Sequence, residues 1–233
     1  AYQAFSRVQE VAPVVELRAV FDLRGANHRL TPRGGTPEET NDLRMRMVDA
    51  FAEIEVLFSG GLPQEITALA HRLEWVQFLN TGVDDKIPQG LWESQIVMTT
   101  VAGAPAHAIA EYVLMAMLLF AKKLPTFIAQ QKDHVWQNKG LNTAELKAKT
   151  VGIVGFGHIG QQLATFSSIF DMRVIATRRS LAKRKHNTNG VALLLPPQEL
   201  NTLLNESDYV VLAVPLTHET RGLIGQVQFK QMK

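Results

Sequence analysis

The chain has 233 residues, enough for one large or two small domains, and its 46% hydrophobic and 20% charged content describes an ordinary globular composition. A formal net charge of +2 is too small to point to nucleic acid or a membrane surface. The complete lack of cysteine excludes disulfides, thiolate nucleophiles and cysteine metal sites, and is compatible with a cytoplasmic setting.

The first thirty residues carry little pattern beyond a candidate strand at Val14–Leu17. Residues 31–37, TPRGGTP, read as a loop, and Glu38–Ala50 as a helix. The start, AYQAFSRVQE, has neither a signal-peptide pattern nor an initiating methionine, which suggests a processed or start-truncated chain. Glu53–Phe58 is expected to be a strand stopped by Gly60, Gly61 and Pro63. A helix over Gln64–His71, a buried strand at Trp75–Leu79, the loop NTGVDD and a further strand at Ile96–Thr99 follow. This alternation predicts a parallel sheet covered by helices. The longest apolar run, Tyr112–Ala121, is roughly half a membrane span. It lies in a helix predicted over Ala106–Ala121, apolar nearly all round and so expected to be buried, with a second helix over Lys123–Asn138.

From Thr150 the pattern becomes repeated βα units: a strand Thr150–Val154, a helix His158–Phe170, a strand Arg173–Ala176, a helix Gln198–Asn205 and a strand Tyr209–Ala213. A boundary near residue 100 divides the chain into 1–100 and 101–233. Only three strands of the second sheet are legible, against about six in a complete doubly wound domain. The expectation is therefore an incomplete sheet with an exposed edge, prone to aggregation.

The turn after the first of these strands reads G155-F-G-H-I-G160. A lone G-x-G-x-x-G is weak evidence, but this one follows a strand, opens a helix and precedes a second strand at βαβ spacing. Gly155 permits the tight turn, Gly157 presents no side chain to a pyrophosphate, and Gly160 lets helix and strand pack closely. The helix start, with His158 and Ile159, offers free amides and a positive dipole end to phosphates. A glycine-rich turn without a ligand is the plain alternative. At the end of the second strand, where an NAD site places an acid, the sequence reads T177-R-R-S180. Arg178, Arg179 and Ser180 suit a 2′-phosphate, which favours NADP(H) over NAD(H), although the same residues also begin a basic loop with Lys183, Arg184 and Lys185.

With these residues in place, the chain resembles the D-isomer-specific 2-hydroxyacid dehydrogenases. The likeness runs through residues 50–233. It rests on N80-T-G-V-D84, on A110-E-Y-V113 with its long helix, on L146-K-A-K-T-V-G-I-V-G-F-G-H-I-G160, and on S207-D-Y-V-V-L-A-V-P-L-T-H-E-T-R-G-L-I224. The resemblance implies an α/β protein in which a flavodoxin-like substrate domain precedes a Rossmann-type doubly wound parallel sheet. It implies substrate-carboxylate binding by backbone amides at Gly82 and Val83, against a plain β-turn as the alternative. Val214 and Pro215 would lie beside the nicotinamide ribose. Thr220 would bond to the cofactor or cap the following turn.

The partners implied are a small 2-oxoacid or 2-hydroxyacid such as glyoxylate or hydroxypyruvate, and a second copy of the chain in a homodimer, with no nucleic acid, membrane or metal. The family's catalytic arginine, glutamate and histidine are expected beyond Lys233. None of the seven histidines matches the family's catalytic position, so no catalytic residue is assigned and the 233 residues alone are expected to be inactive. A dinucleotide-binding regulator of corepressor type and an inactive truncated homologue stand as alternatives to the oxidoreductase.

Overall fold

The computed structural model describes residues 45, 48–83, 87–88, 90–137 and 140–233. The candidate strand Val14–Leu17, the loop at 31–37 and most of the expected helix Glu38–Ala50 lie outside the described residues. The chain divides into two compact units, Ala1–Val101 and Ala102–Lys233.

In the first unit, residues 48–53 are helical, so the strand expected from Glu53 begins only at Val56. The reason is burial: Phe51, on the helix, is 2% exposed and joins the core, with Ile54 packed against it from the connection. Three strands, β1 (Val56–Ser59), β2 (Trp75–Phe78) and β3 (Val97–Thr99), form a parallel sheet in sequence order. The register sets Val56 opposite Trp75 and Trp75 opposite Val97. The strand period of two puts Val76 and Phe78 inward, where they pack with Ile66, Leu73 and Leu91. The opposite face carries Phe58 and Trp75, ring centroids 5.9 Å apart. There the Trp75 indole N–H donates to Thr99 Oγ1 at 2.7 Å. The helix expected over Gln64–His71 is a single turn, α1 (Ile66–Leu69), followed by a turn in which the Leu73 amide bonds Ala70 O at 3.2 Å.

The second unit opens with α2 (Ala106–Ala121), which has the expected bounds. Its buried residues, Ala106, Ala110, Met117 and Ala121, recur at helical spacing and form one stripe. Burial all round is not observed. Tyr112, Met115 and Phe120 are 67%, 51% and 69% exposed, because only one face packs on the core. After Lys123, at φ 51°, α3 (Leu124–Lys132) leaves at a bend of 67° and ends well short of Asn138, with His134 at φ 54°. No single helix among the described residues is long and apolar enough to cross a membrane.

The sheet of this unit has five strands in the order β6-β7-β5-β4-β8. These are β4 (Thr150–Val154), β5 (Arg173–Thr177), β6 (Lys185–Thr188), β7 (Val191–Leu195) and β8 (Tyr209–Leu212). All pairs are parallel except β6 with β7. Helices α4 (His158–Ile169), α5 (Leu200–Glu206) and the short α6 (Gln226–Phe229) complete the unit. The count of three legible strands was therefore short by two. β7 is VALLL, a run without alternation because it is buried almost throughout. Its hairpin with β6 turns on Asn189 and Gly190, both at positive φ, with Thr188 paired to Val191.

At the N-terminal end of the sheet, Asp208 clasps β4. Its amide donates to Thr150 O and its carboxylate accepts from the Thr150 amide, both at 2.8 Å, while Lys233 Nζ lies 3.3 Å from its other oxygen. Burial alone would raise the Asp208 pKa, but the Thr150 amide and the Lys233 ammonium together hold it below the ordinary value of 3.8. A lowered folded-state pKa stabilises the fold above the unfolded value, and that contribution is lost as pH falls through the folded one. Asp208→Ala is expected to cost about 1 kcal/mol at pH 7 in urea unfolding, with solvent screening limiting the effect. The gap to the parent should shrink as pH is taken below about 4. A gap independent of pH would contradict this role for the carboxylate.

Candidate functional site

Starting from β4, the chain builds outward in one direction through β5 and β7, then returns to place β8 on the other side of β4. The strand order therefore reverses between β4 and β8, and a doubly wound sheet opens a ligand crevice at the carboxyl ends of such a pair. The glycine turn leaves β4 at that point.

Gly155 has φ +106°, a conformation side chains rarely adopt, and a Cβ there would come within 2.6 Å of Ala213 O and 2.8 Å of Val214 Cγ1. The turn thus packs by backbone against the end of β8. A Cβ on Gly160 would collide with Gly155 O, so α4 starts in direct contact with the turn. Gly157 differs from both. It is extended at φ −91°, and nothing lies within 4 Å of where its Cβ would project. Two of the glycines are filled against the protein and the middle one faces open space, which is the shape a bound diphosphate requires.

The turn is also held from β5. The Gly155 amide donates to Thr177 Oγ1 at 3.3 Å and the Phe156 amide to Thr177 O at 2.8 Å, while the Phe156 side chain is buried. The motif spacing gives Thr177 no role. Its signal was positional: a hydroxyl at the last buried position of the strand, immediately before the two arginines. The first intrahelical bond at the start of α4 runs from the Gln161 amide to Gly157 O at 2.9 Å. The amides of His158, Ile159 and Gly160 precede it, at the positive end of a twelve-residue helix that has no side-chain cap. The His158 ring turns onto Gly103, where a Cβ would lie 3.2 Å from His158 Cδ2.

Beyond β5, the Arg178 amide bonds Leu195 O at 3.0 Å, fixing the chain direction, and Arg178, Arg179 and Ser180 are all exposed. Of the basic run, Arg184 is committed to Glu199 by a hydrogen-bonded ion pair, and that carboxylate raises the Arg184 pKa. Neither Arg178 nor Arg179 forms an ion pair among the described residues. On the other side of the crevice, the Ala213 amide bonds Val154 O at 2.8 Å, carrying Val214 up beside Gly155, with Pro215 next in the chain. The Thr220 hydroxyl donates to Pro215 O at 2.6 Å and accepts from the Thr217 amide at 2.7 Å, so it braces the 215–220 turn. Glu219 accepts from the Thr217 hydroxyl at 2.6 Å. That bond, with smaller help from His218 and Arg179, lowers its pKa.

The structure therefore brings Gly155, Gly157, Gly160, the α4 amides, Arg178–Ser180 and Val214–Pro215 to the carboxyl ends of β4, β5 and β8 of one sheet. Gly82 and Val83 belong to the first unit, at the carboxyl ends of its own strands. There the Leu79 amide bonds Ser59 O at 3.0 Å and Asn80 Nδ2 donates to Gly60 O. Gly82 is exposed, and Val83 is half-buried against the first core. No group of three or more metal-ligating side chains occurs among the described residues.

Residues 114–233 match the family model described as "D-isomer specific 2-hydroxyacid dehydrogenase, NAD binding domain". The chain belongs to this family. It is similar to the D-3-phosphoglycerate dehydrogenase of Archaeoglobus fulgidus, 30% identical over 189 residues, which cover 81% of this chain and 35% of that protein. It is likewise 30% identical over 194 residues to the hydroxypyruvate reductase of Thermotoga maritima, covering 82% of this chain and 60% of the relative. Among solved structures, it resembles the NADPH-dependent glyoxylate/hydroxypyruvate reductase of Sinorhizobium meliloti in complex with NADP and sulfate. That likeness has a TM-score of 0.67 and 25% identity, and covers 77% of this chain and 55% of the other. The chain thus spans between about a third and three-fifths of the length of these curated relatives. Family membership and the fit of the glycine turn together give the second unit a nicotinamide dinucleotide as its cofactor.

The three glycines are expected to separate under substitution. Gly157→Val needs no positive φ and its Cβ meets no protein atom within 4 Å, so the protein should fold with a thermal midpoint close to the parent's. The branched side chain would occupy the diphosphate's space and cost on the order of 3 kcal/mol, about a hundredfold or more in cofactor Kd by fluorescence titration. Gly155→Ala and Gly160→Ala should instead lower the melting temperature. Cofactor binding by Gly157→Val within a few-fold of the parent would make the turn structural only.

Proposed function

We propose that the chain carries the cofactor-binding and part of the substrate-binding apparatus of an NADPH-dependent reductase of a small 2-oxoacid, glyoxylate or hydroxypyruvate being the preferred substrates. The observation that supports this most is the pair Arg178–Arg179 directly after β5, exposed and without an ion-pair partner among the described residues, where an NAD site would present an acid. The names of two relatives in the comparison, a hydroxypyruvate reductase and an NADPH-dependent glyoxylate/hydroxypyruvate reductase, point the same way.

In this reading the α4 amides of His158, Ile159 and Gly160 receive the diphosphate over Gly157, and Arg178, Arg179 and Ser180 receive the 2′-phosphate. Arg178 is the more firmly placed of the two arginines, because its own amide is tied to β7. Val214 and Pro215 form the wall beside the nicotinamide ribose. The backbone at Gly82 and Val83 receives the substrate carboxylate, with glycine allowing the close approach. The bound cofactor supplies hydride from its nicotinamide ring; the residues named here bind and orient. A homodimer is part of the same proposal, supported by the exposed Tyr112, Met115 and Phe120 on α2.

Fluorescence titration tests the cofactor assignment. NADPH should bind more tightly than NADH by about tenfold to a hundredfold, the range for charge-assisted bonds from arginine to a phosphate. Arg178→Asp should reverse the order by repelling the phosphate and accepting from the ribose hydroxyls. Equal affinities in the parent, or NADH binding more tightly, would overturn it.

A further inference from the structure

The sequence suggests His158 as a phosphate neighbour, yet its imidazole lies over the backbone of Gly103. Three ring atoms are 3.2–3.5 Å from the position a Gly103 Cβ would take, so the ring fills the space of a missing side chain. Gly103 has φ +89°, which any other residue would adopt only under strain, and it lies in the turn at 102–105 that leads into α2. The helix that follows has Pro105 at its cap position and no side-chain cap. Its start depends on the Ala106 amide bonding Gly103 O at 3.0 Å and on the Ile109 amide bonding Pro105 O at 3.0 Å. One residue into the helix, the His107 ring meets Phe166 of α4 edge-on at 5.0 Å and its Nε2 lies 3.2 Å from Glu111. α2 is thus docked on α4 at its very first turn, and His158 is the part of that docking contributed by the residue that opens α4.

We propose that His158 is a positioning residue: its ring ties the phosphate-facing end of α4 to the turn at 102–105, so that a dinucleotide bound over Gly157 stiffens that turn. The coupling rests on the cofactor site proposed above. Its physical basis is short. The His158 amide belongs to the diphosphate-facing end of α4, and the side chain of the same residue occupies the one conformationally exceptional position of the turn. Fixing the backbone of residue 158 therefore restricts the ring, and the ring restricts Gly103. The turn lies where the chain passes from the first unit to the second, at the boundary after Val101.

Amide hydrogen exchange on the full chain tests this, with the Ala106 amide as reporter because its acceptor is Gly103 O. In ligand-free protein, His158→Ala should speed Ala106 exchange by about tenfold, and His158→Phe, which keeps a flat ring over Gly103, should restore the parent rate. His158 is exposed, so neither change disturbs the core. With NADPH added to saturation of each protein, Ala106 exchange should slow further in the parent and in His158→Phe but not in His158→Ala. Unchanged Ala106 exchange in ligand-free His158→Ala, or equal slowing by NADPH in all three proteins, would overturn the proposal. The amides of 158–160 keep the two readings apart. If NADPH leaves them unaffected in the parent, it is the cofactor site that fails, and the ligand-free comparison still decides whether His158 braces the turn.

Discussion

The second unit depends on one backbone contact, Gly155 against the carbonyl of Ala213. It closes the point where the sheet reverses its direction of growth, and it can form only if residue 155 has no side chain and accepts φ +106°. Other features follow from it. Gly160 must also be bare, because α4 starts directly on Gly155 O. Thr177 must end β5 there, because its hydroxyl and carbonyl hold the turn from the other side. Gly157, left between them with open space before it, is then where a ligand's phosphates can approach backbone amides.

Charge is distributed around this frame by commitment rather than by amount. Arg173 is paired with Glu206, Arg184 with Glu199 and Lys233 with Asp208. The arginines at the crevice, Arg178 and Arg179, have no such pair among the described residues. A net charge of +2 conceals this contrast. What recommends the two arginines for an anion is that they are exposed, carry no ion pair among the described residues and begin a loop whose backbone is fixed to β7.

The turn was legible because its chemistry is local: spacing of glycines, a strand before, a helix after, and arginines at the end of the next strand. The bounds of β4 and α2 were legible for the same reason, since strong apolar runs there coincide with clear starts and stops. β7 was missed because a strand buried almost throughout shows no alternation, although Asn189-Gly190 announces a hairpin to a reader looking for one. The exposed side of α2 was misjudged because an apolar residue does not record what covers it, so composition alone made Tyr112, Met115 and Phe120 look buried. The orientation of the His158 ring was beyond the sequence. It depends on where a turn more than fifty residues earlier is brought by the packing of α2 on α4.

In the proposed complex a dinucleotide's phosphates lie over Gly157, between the start of α4 and the end of β8. A two-dimensional amide NMR titration of the isotope-labelled chain with NADP⁺ tests it most directly. The resonances expected to move most are those of Phe156–Gly160, of Arg178–Ser180 and of Ala213 and Val214, in one saturable process. Shifts concentrated elsewhere, for example in the shallow depression between Met172 and Gly190 at the other end of the sheet, with the glycine-turn amides unmoved at saturation, would contradict it.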